Sequence, residues 1–450
     1  MRKRRKEKRE EKTLPGRAER KSMREYEVNE KGHLVFGGCD TVRLAEKYAT
    51  PVYVMDEGLI RKRLEEIRTV FLQPYPNARA VYASKAFQTK EMCRLVTEGG
   101  LGLDVVSGGE IYAALAAGVD PSCMVFHGNN KTPEEIRMAA EAGVGRFIVD
   151  NAYELELLEK QAGRGKAPIR VLLRITPGVD SHTHKFISTG NIDSKFGISL
   201  EKEERDRIIK RVMDMEGVEL MGFHFHVGSQ LHENDSHLAA LDILLGLVDE
   251  VKESLGFEAR ELNLGGGFGI YYAKGDQTAR LKDFVDPMME KINRFYHERS
   301  LPLPLVFIEP GRWICGEAGI TLYTVGSVKN IPGIKTYVAV DGGMPDNPRP
   351  ILYQAKYEAV LANKAAAPKK QIVSVAGKCC ESGDILIEDL PVGPVESGDI
   401  LAVFSTGAYH HSMASNYNRL LRPPVVMVDE GKDHLSVRRE TYEDLIAREL

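Results

Sequence analysis

Residues 79–86 read Arg79-Ala80-Val81-Tyr82-Ala83-Ser84-Lys85-Ala86, in which the short strand-like run Arg79–Ala83 leads into a serine and a lysine. Runs of the same kind recur at Gly102–Val106, Met124–His127, Arg146–Val149, Ile169–Arg174, Leu220–His226, Glu261–Leu264 and Leu305–Ile308. The stretches between them, such as Pro133–Ala142 and Leu238–Leu255, carry apolar residues at helical spacing. Eight alternating strand–helix units predict an α/β fold of the (β/α)8 barrel type over residues 56–309. The strand ends deliver Lys85, Asp104 with Ser107, His127, Asp150, Arg174, His226, Gly265–Gly267, and Glu309 with Arg312. In a parallel barrel all these ends open at one mouth, where catalytic groups gather. Polar residues on every strand end therefore predict an enzyme.

Working outward, the pattern changes after residue 310. Thr321–Val328, Thr336–Val340, Gln371–Val375 and Ile400–Phe404 alternate or run β-branched between Gly, Pro and Asp turns, which predicts a β-sheet or β-barrel domain over 310–450. Residues 24–55 hold two short strand-like pieces and are expected to join it. Residues 1–22 carry eleven Lys/Arg against four Glu and read, with Met23, as a solvated, unstructured tail. Met23 itself opens a segment that reads as an ordinary domain start.

With 450 residues and 43% hydrophobic content, the chain can bury more than one core. Its net charge of −4 gives no general bias towards nucleic acid, and no apolar run reaches membrane-spanning length. The six cysteines are scattered without a CxxC pair, so neither a disulfide framework nor a structural zinc site is expected, and a reducing cytoplasm fits best.

Several motifs can carry chemistry. Lys85 ends an apolar strand, where partial desolvation lowers an amine's pKa and favours its nucleophilic form; a solvated strand-end lysine is the plainer account. Asn263-Leu264-Gly265-Gly266-Gly267-Phe268-Gly269 lets backbone N–H groups approach a phosphate, or simply makes a turn that needs positive φ. Glu309-Pro310-Gly311-Arg312 sets a carboxylate and a guanidinium beside that loop, either as an ion pair or as partners for a heterocycle nitrogen and an anion. His224-Phe225-His226, with His182-Thr183-His184 as a second pair, is the pattern of a metal-dependent hydrolase. No carboxylate ligand set accompanies it in the sequence, and it leaves the lysine and the glycines unexplained, so no metal is assigned.

From about residue 24 to 445 these motifs, in this order, resemble the fold-type III decarboxylases that use pyridoxal 5'-phosphate and act on diaminopimelate, ornithine or arginine. The resemblance implies that Lys85 holds the cofactor covalently and that His226 stacks on its ring. Ser229, Gly265, Gly266 and Gly267 would lie near its phosphate. Glu309 would face the ring nitrogen, Asp104 would lie behind the cofactor, and Arg312, after Pro310 and Gly311, would stand near phosphate and substrate. Cys380-Glu381-Ser382-Gly383-Asp384 matches the family segment whose cysteine donates a proton and which reaches into a neighbouring subunit's site, implying a homodimer. Tyr417 resembles a tyrosine touching cofactor and substrate, and Tyr409 a phosphate-side contact. Asp341-Gly342-Gly343-Met344, leading to Arg349 and Tyr353, resembles the diaminopimelate branch, in which these two hold a substrate carboxylate and Glu381 reads the distal amine. The implied activity is decarboxylation of meso-diaminopimelate to L-lysine. Ornithine, arginine and carboxynorspermidine decarboxylases, an alanine-racemase-like enzyme and a cofactor-carrier barrel are the rival readings. The basic tail and His410-His411 match nothing in the family pattern, and no nucleic-acid or membrane partner is assigned.

Overall fold

The structure, a computed structural model, describes residues 24–162, 167–179, 194–276 and 279–450. The basic tail and the His182/His184 pair lie outside the described residues. Eight strands close into a parallel barrel in chain order: Ala78–Ala83, Gly102–Val105, Met124–Phe126, Arg146–Val149, Ile169–Arg174, Val218–His224, Glu261–Asn263 and Leu305–Ile308. The last pairs with the first through Phe307 and Arg79, completing the circle. The expected (β/α)8 barrel is therefore present, with helices such as Pro133–Ala142 and Asp235–Leu255 between strands.

Side-chain alternation explains how the barrel fills. Val81, Val125, Ile148, Leu172, Met221 and Phe307 point inward and form their own buried layer. Their neighbours Tyr82, Phe126, Val149, Leu173 and Ile308 point outward into the core beneath the helices. Towards the N-terminal end, Arg146 makes a two-pronged pair with Glu261 at 2.8 and 3.1 Å. Apolar packing thus fills the lower barrel, and the polar ends of the strands are left facing the other mouth.

The second sheet is woven from both ends of the chain. The strand Val52–Asp56 lies between Gly319–Ile331, which it pairs antiparallel, and Val425–Asp429, which it pairs parallel. Its period of two divides two cores: Tyr53 and Met55 join the cluster continuous with the barrel, whereas Val52 and Val54 join a separate one with Leu34, Leu44 and Val426. From Gly319–Ile331 the sheet continues through Lys335–Val340, Gln371–Ala376 and Ile385–Val392, and Ile400–Phe404 also pairs with it. Among the described residues no helix is long and apolar enough to cross a membrane.

Candidate active site

A cavity of about 450 Å³ opens at the C-terminal mouth of the barrel. It is lined from the barrel side by Lys85, Asp104, His127, Arg174, His224, His226, Glu309 and Arg312, and from the second sheet's side by Arg349, Tyr353 and Tyr409. Lys85 sits in the single 3-10 turn Ser84–Ala86 after the first strand. Its neighbours are buried while its own side chain is open, and that opening is the cavity itself, since protein surrounds the amine. Burial works to lower the amine's pKa, but Tyr409, Asp104 and Glu309 outweigh it, leaving it above the ordinary lysine value. This reverses the sequence-based expectation of a lowered value. Desolvation does act, but acids on neighbouring strand ends overrule it.

The last strand presents Glu309 to two histidines. Oε1 lies 2.7 Å from His127 Nε2 and accepts from Asn263 Nδ2 at 2.7 Å, while Oε2 lies 3.3 Å from His224 Nε2. Burial opposes ionisation of Glu309, yet the histidines hold its carboxyl well below the usual range. His224 itself is pushed down to about 4 by burial, so it is neutral and offers Glu309 an N–H dipole. Asp104 lies 3.8 Å from His127, and burial raises its carboxyl. The sequence showed no carboxylate beside the HxH pair; the fold supplies one. Even so, two ligands of one tetrahedral ion stand roughly 3.4 Å apart, and His127 and Glu309 are already in direct contact at 2.7 Å. The second histidine of the pair is engaged elsewhere: Gly266 N–H donates to His226 Nδ1 at 3.3 Å. Burial keeps the His226 imidazole well below its ordinary pKa and hence neutral.

The glycine loop is demanded by backbone packing. A Cβ on Gly266 would lie 2.1 Å from the Glu309 carbonyl oxygen, and one on Gly267, at φ +99°, 2.3 Å from that of Gly228. Two of its N–H groups are already used, Gly265 towards Asn263 Oδ1 at 3.0 Å and Gly266 towards His226, and of the three glycines Gly267 lines the cavity. Pro310 accepts from Ala83 N–H at 3.3 Å and Gly311 packs against Ala83, which sets the start of the Arg312 turn against the first strand. Arg312 donates to Ser229 Oγ at 3.0 Å and to the Tyr272 hydroxyl. Arg349 donates through Nε to Tyr357 at 2.9 Å. Both guanidiniums are buried, and among the described residues neither has a carboxylate partner within ion-pair distance.

A family model for the pyridoxal binding domain of pyridoxal-dependent decarboxylases matches residues 57–316. The chain is 49% identical over 422 residues to the diaminopimelate decarboxylase of Bacillus subtilis, spanning 94% of this chain and 96% of that one. This chain belongs to the diaminopimelate decarboxylase family. The Halalkalibacterium halodurans diaminopimelate decarboxylase is likewise 49% identical, over 93% of this chain and 95% of its own. The crystal structure of the M. jannaschii diaminopimelate decarboxylase in complex with L-lysine superposes with a TM-score of 0.88 at 37% identity, covering 94% of this chain and 97% of that one.

The cavity fits this family's cofactor, pyridoxal phosphate, on its own chemistry. It joins an enclosed lysine amine, buried guanidinium charge without an acid, a close-packed glycine loop and an ionised carboxylate at the barrel centre. Gly265, Gly266 and Pro310 stand behind the lining, and Cys380, Glu381 and Tyr417 are not brought to this cavity within one chain. Cys380 and Glu381 are exposed, and Tyr417 is 42% exposed on a separate 3-10 turn. Cys380 N–H donates to Asn418 Oδ1 at 2.9 Å, so the two segments share one outward-facing patch. Asp384 anchors that patch by accepting from Met344 N at 2.7 Å and Cys379 N at 2.9 Å. Sequence reading gave His127, Arg174 and Asn263 no role of their own and left out Tyr272 and Tyr357. The first three were visible at strand ends. The tyrosines carry no local signal, because they stand in loops whose folding, and not their composition, turns each hydroxyl towards its arginine.

Proposed function

We propose that this chain removes carbon dioxide from meso-2,6-diaminopimelate to leave L-lysine, the last step of lysine biosynthesis, as a cytoplasmic homodimer. The observation that carries this reading is the pair of buried, acid-free guanidiniums, Arg312 and Arg349, on the wall of a cavity with Lys85 inside it. A buried charge without a counter-charge is costly, and hydroxyl partners alone do not neutralise it, so two of them call for two anions. One is the cofactor's phosphate and the other the carboxylate at the far end of the substrate. An ornithine enzyme would need acids at that far end and no arginine.

Bound pyridoxal phosphate supplies an aldehyde to take the substrate amine and a ring to take up the electrons of the breaking carbon–carbon bond. Lys85 would hold the cofactor through its amine. His226, neutral and flat, would cover the ring face. Glu309, kept ionised by His127 and His224, would hold a proton on the ring nitrogen, and Asp104 would add negative charge behind it. Ser229, Gly265–Gly267, Tyr409 and Arg312 would secure the phosphate side. Arg349 and Tyr353 fix the distal carboxylate, which sets the angle of the scissile bond. From the partner subunit, Cys380 returns a proton to the carbon that has lost its carboxylate, and Glu381 reads the distal amine, with Tyr417 completing that wall. Residues 56–309 act as the cofactor-binding unit, and residues 310–450 with 24–55 bring the substrate-selecting side chains.

The test is turnover by purified protein with pyridoxal phosphate and meso-diaminopimelate, ornithine or arginine in parallel, with products read by mass spectrometry. Lysine from diaminopimelate alone is expected. Turnover of ornithine or arginine without diaminopimelate would reject the substrate.

A further inference from the structure

Arg349 is held in an unusual way for a buried guanidinium. It starts the short helix Arg349–Tyr353, is only 6% exposed, and is ringed by Tyr353, Tyr409 and Tyr272 at 5.2, 5.5 and 5.9 Å from ring centre to guanidinium carbon. Aromatic faces attract the cation but do not fix the rotation of the planar guanidinium about the Cδ–Nε bond. The hydrogen bond that does so runs from Nε to the Tyr357 hydroxyl at 2.9 Å. Nε is the inner corner of the guanidinium. Tying it down leaves the two terminal nitrogens side by side as a fork, the arrangement that takes a carboxylate through two parallel bonds.

Tyr357 is itself rigidly placed. It is buried, its ring meets Tyr272 edge-on at 5.4 Å, and its other side meets His410 edge-on at 5.4 Å. His410 Nδ1 is fixed on the Ala408 carbonyl at 2.8 Å. Tyr272 in turn bonds Arg312, so the aromatic pair stands directly behind both anion-seeking side chains. Tyr357 lines a different cavity, together with Pro350, Ile351 and Gln354, and it does not line the one that contains Lys85.

We infer that Tyr357 is a positioning residue for substrate specificity: by holding Arg349 Nε it aims the guanidinium fork at the substrate's distal carboxylate. This rests on the reading of Arg349 given above. Phe at 357 keeps the ring and removes only the oxygen. A hydrogen bond to a charged group is then lost, and the KM for meso-diaminopimelate should rise about tenfold, with a much smaller fall in kcat. Cofactor content and absorption should stay as in the parent holoenzyme.

The experiment compares four holoenzymes: parent, Tyr357→Phe, Arg349→Ala and the double variant. For each, the KM for meso-diaminopimelate is measured, with inhibition by L-lysine, which retains the distal carboxylate, and by 1,5-diaminopentane, which has none. The expected result is that both single changes weaken diaminopimelate and L-lysine together, spare 1,5-diaminopentane, and that Tyr357→Phe adds nothing once Arg349 is gone. If Arg349→Ala raises KM but Tyr357→Phe does not, or if its effect persists undiminished in the double variant, Tyr357 does not act through Arg349 and the inference fails. If Arg349→Ala itself leaves KM unchanged, the carboxylate seat is elsewhere and the underlying reading fails first.

Discussion

Lys85 shows how far one residue's chemistry is set by others. Tyr409, Asp104 and Glu309 lift its pKa against the effect of burial, so the free amine carries its proton at neutral pH. Lys85→Ala is expected to abolish turnover and the absorption of covalently held cofactor while the protein still folds; activity at the parent rate would sink the scheme. Asp346 gives a second prediction at this scale. Burial pushes its carboxyl up to about 7, against hydrogen bonds from Tyr323 and from Gly343 N–H at 2.9 Å. A raised acid takes up a proton on folding, so its contribution is complete below its ordinary value near 4 and is lost as pH rises through about 7. The Tm of Asp346→Asn, relative to the parent, should therefore improve between about pH 5 and pH 8. A gap that does not change with pH would contradict this. Of the individual side chains, those at strand ends were legible in the sequence, because strand position alone predicts where they point. The bond from Asn263 to Glu309, 46 residues on, was not, nor were Tyr272 and Tyr357, which stand in loops and meet their arginines only in the folded chain.

At the level of elements, the eight barrel runs were legible because each is a short apolar segment bounded by turns, and the observed strands begin and end within two residues of them. The sixth is the largest departure, Val218–His224 against Leu220–His226, and its register shifts between Leu220 and Gly222. A bulge of this kind is a property of the pairing and leaves little trace in one strand's composition. Ile385–Val392 and Val425–Asp429 were missed in the second sheet. Val425–Asp429 runs in parallel with a segment near the opposite end of the chain, and no local signal announces such a pairing. The glycine loop supplies a prediction at this scale. Gly266→Ala would drive a methyl group into the carbonyl of Glu309, and overpacking of this kind costs about 1–3 kcal/mol. The expected outcome is a lower Tm together with loss of cofactor affinity, because Glu309 must move. Unchanged binding in an equilibrium titration with pyridoxal phosphate would show that the loop has room to yield.

At the scale of the whole molecule, the exposed patch of Cys380, Glu381 and Tyr417 is the test of shared sites. If Cys380 serves the partner's cavity, Lys85→Ala and Cys380→Ala dimers, each inactive alone, should regain activity when mixed and allowed to exchange subunits. Mixed samples that stay inactive after exchange, confirmed by native mass spectrometry, would place both residues in one chain's site. A different consequence follows from the strand Val52–Asp56. It is synthesised before any of the barrel, yet one of its neighbours, Val425–Asp429, is made only after all of it. Both its edges wait unpaired until Gly319–Ile331 is made, and one of them until Val425–Asp429 follows, the condition that invites pairing with other chains. A message cut short anywhere before residue 425 would leave that edge bare for good, so an incomplete product betrays itself to the cell by stickiness rather than by lost catalysis.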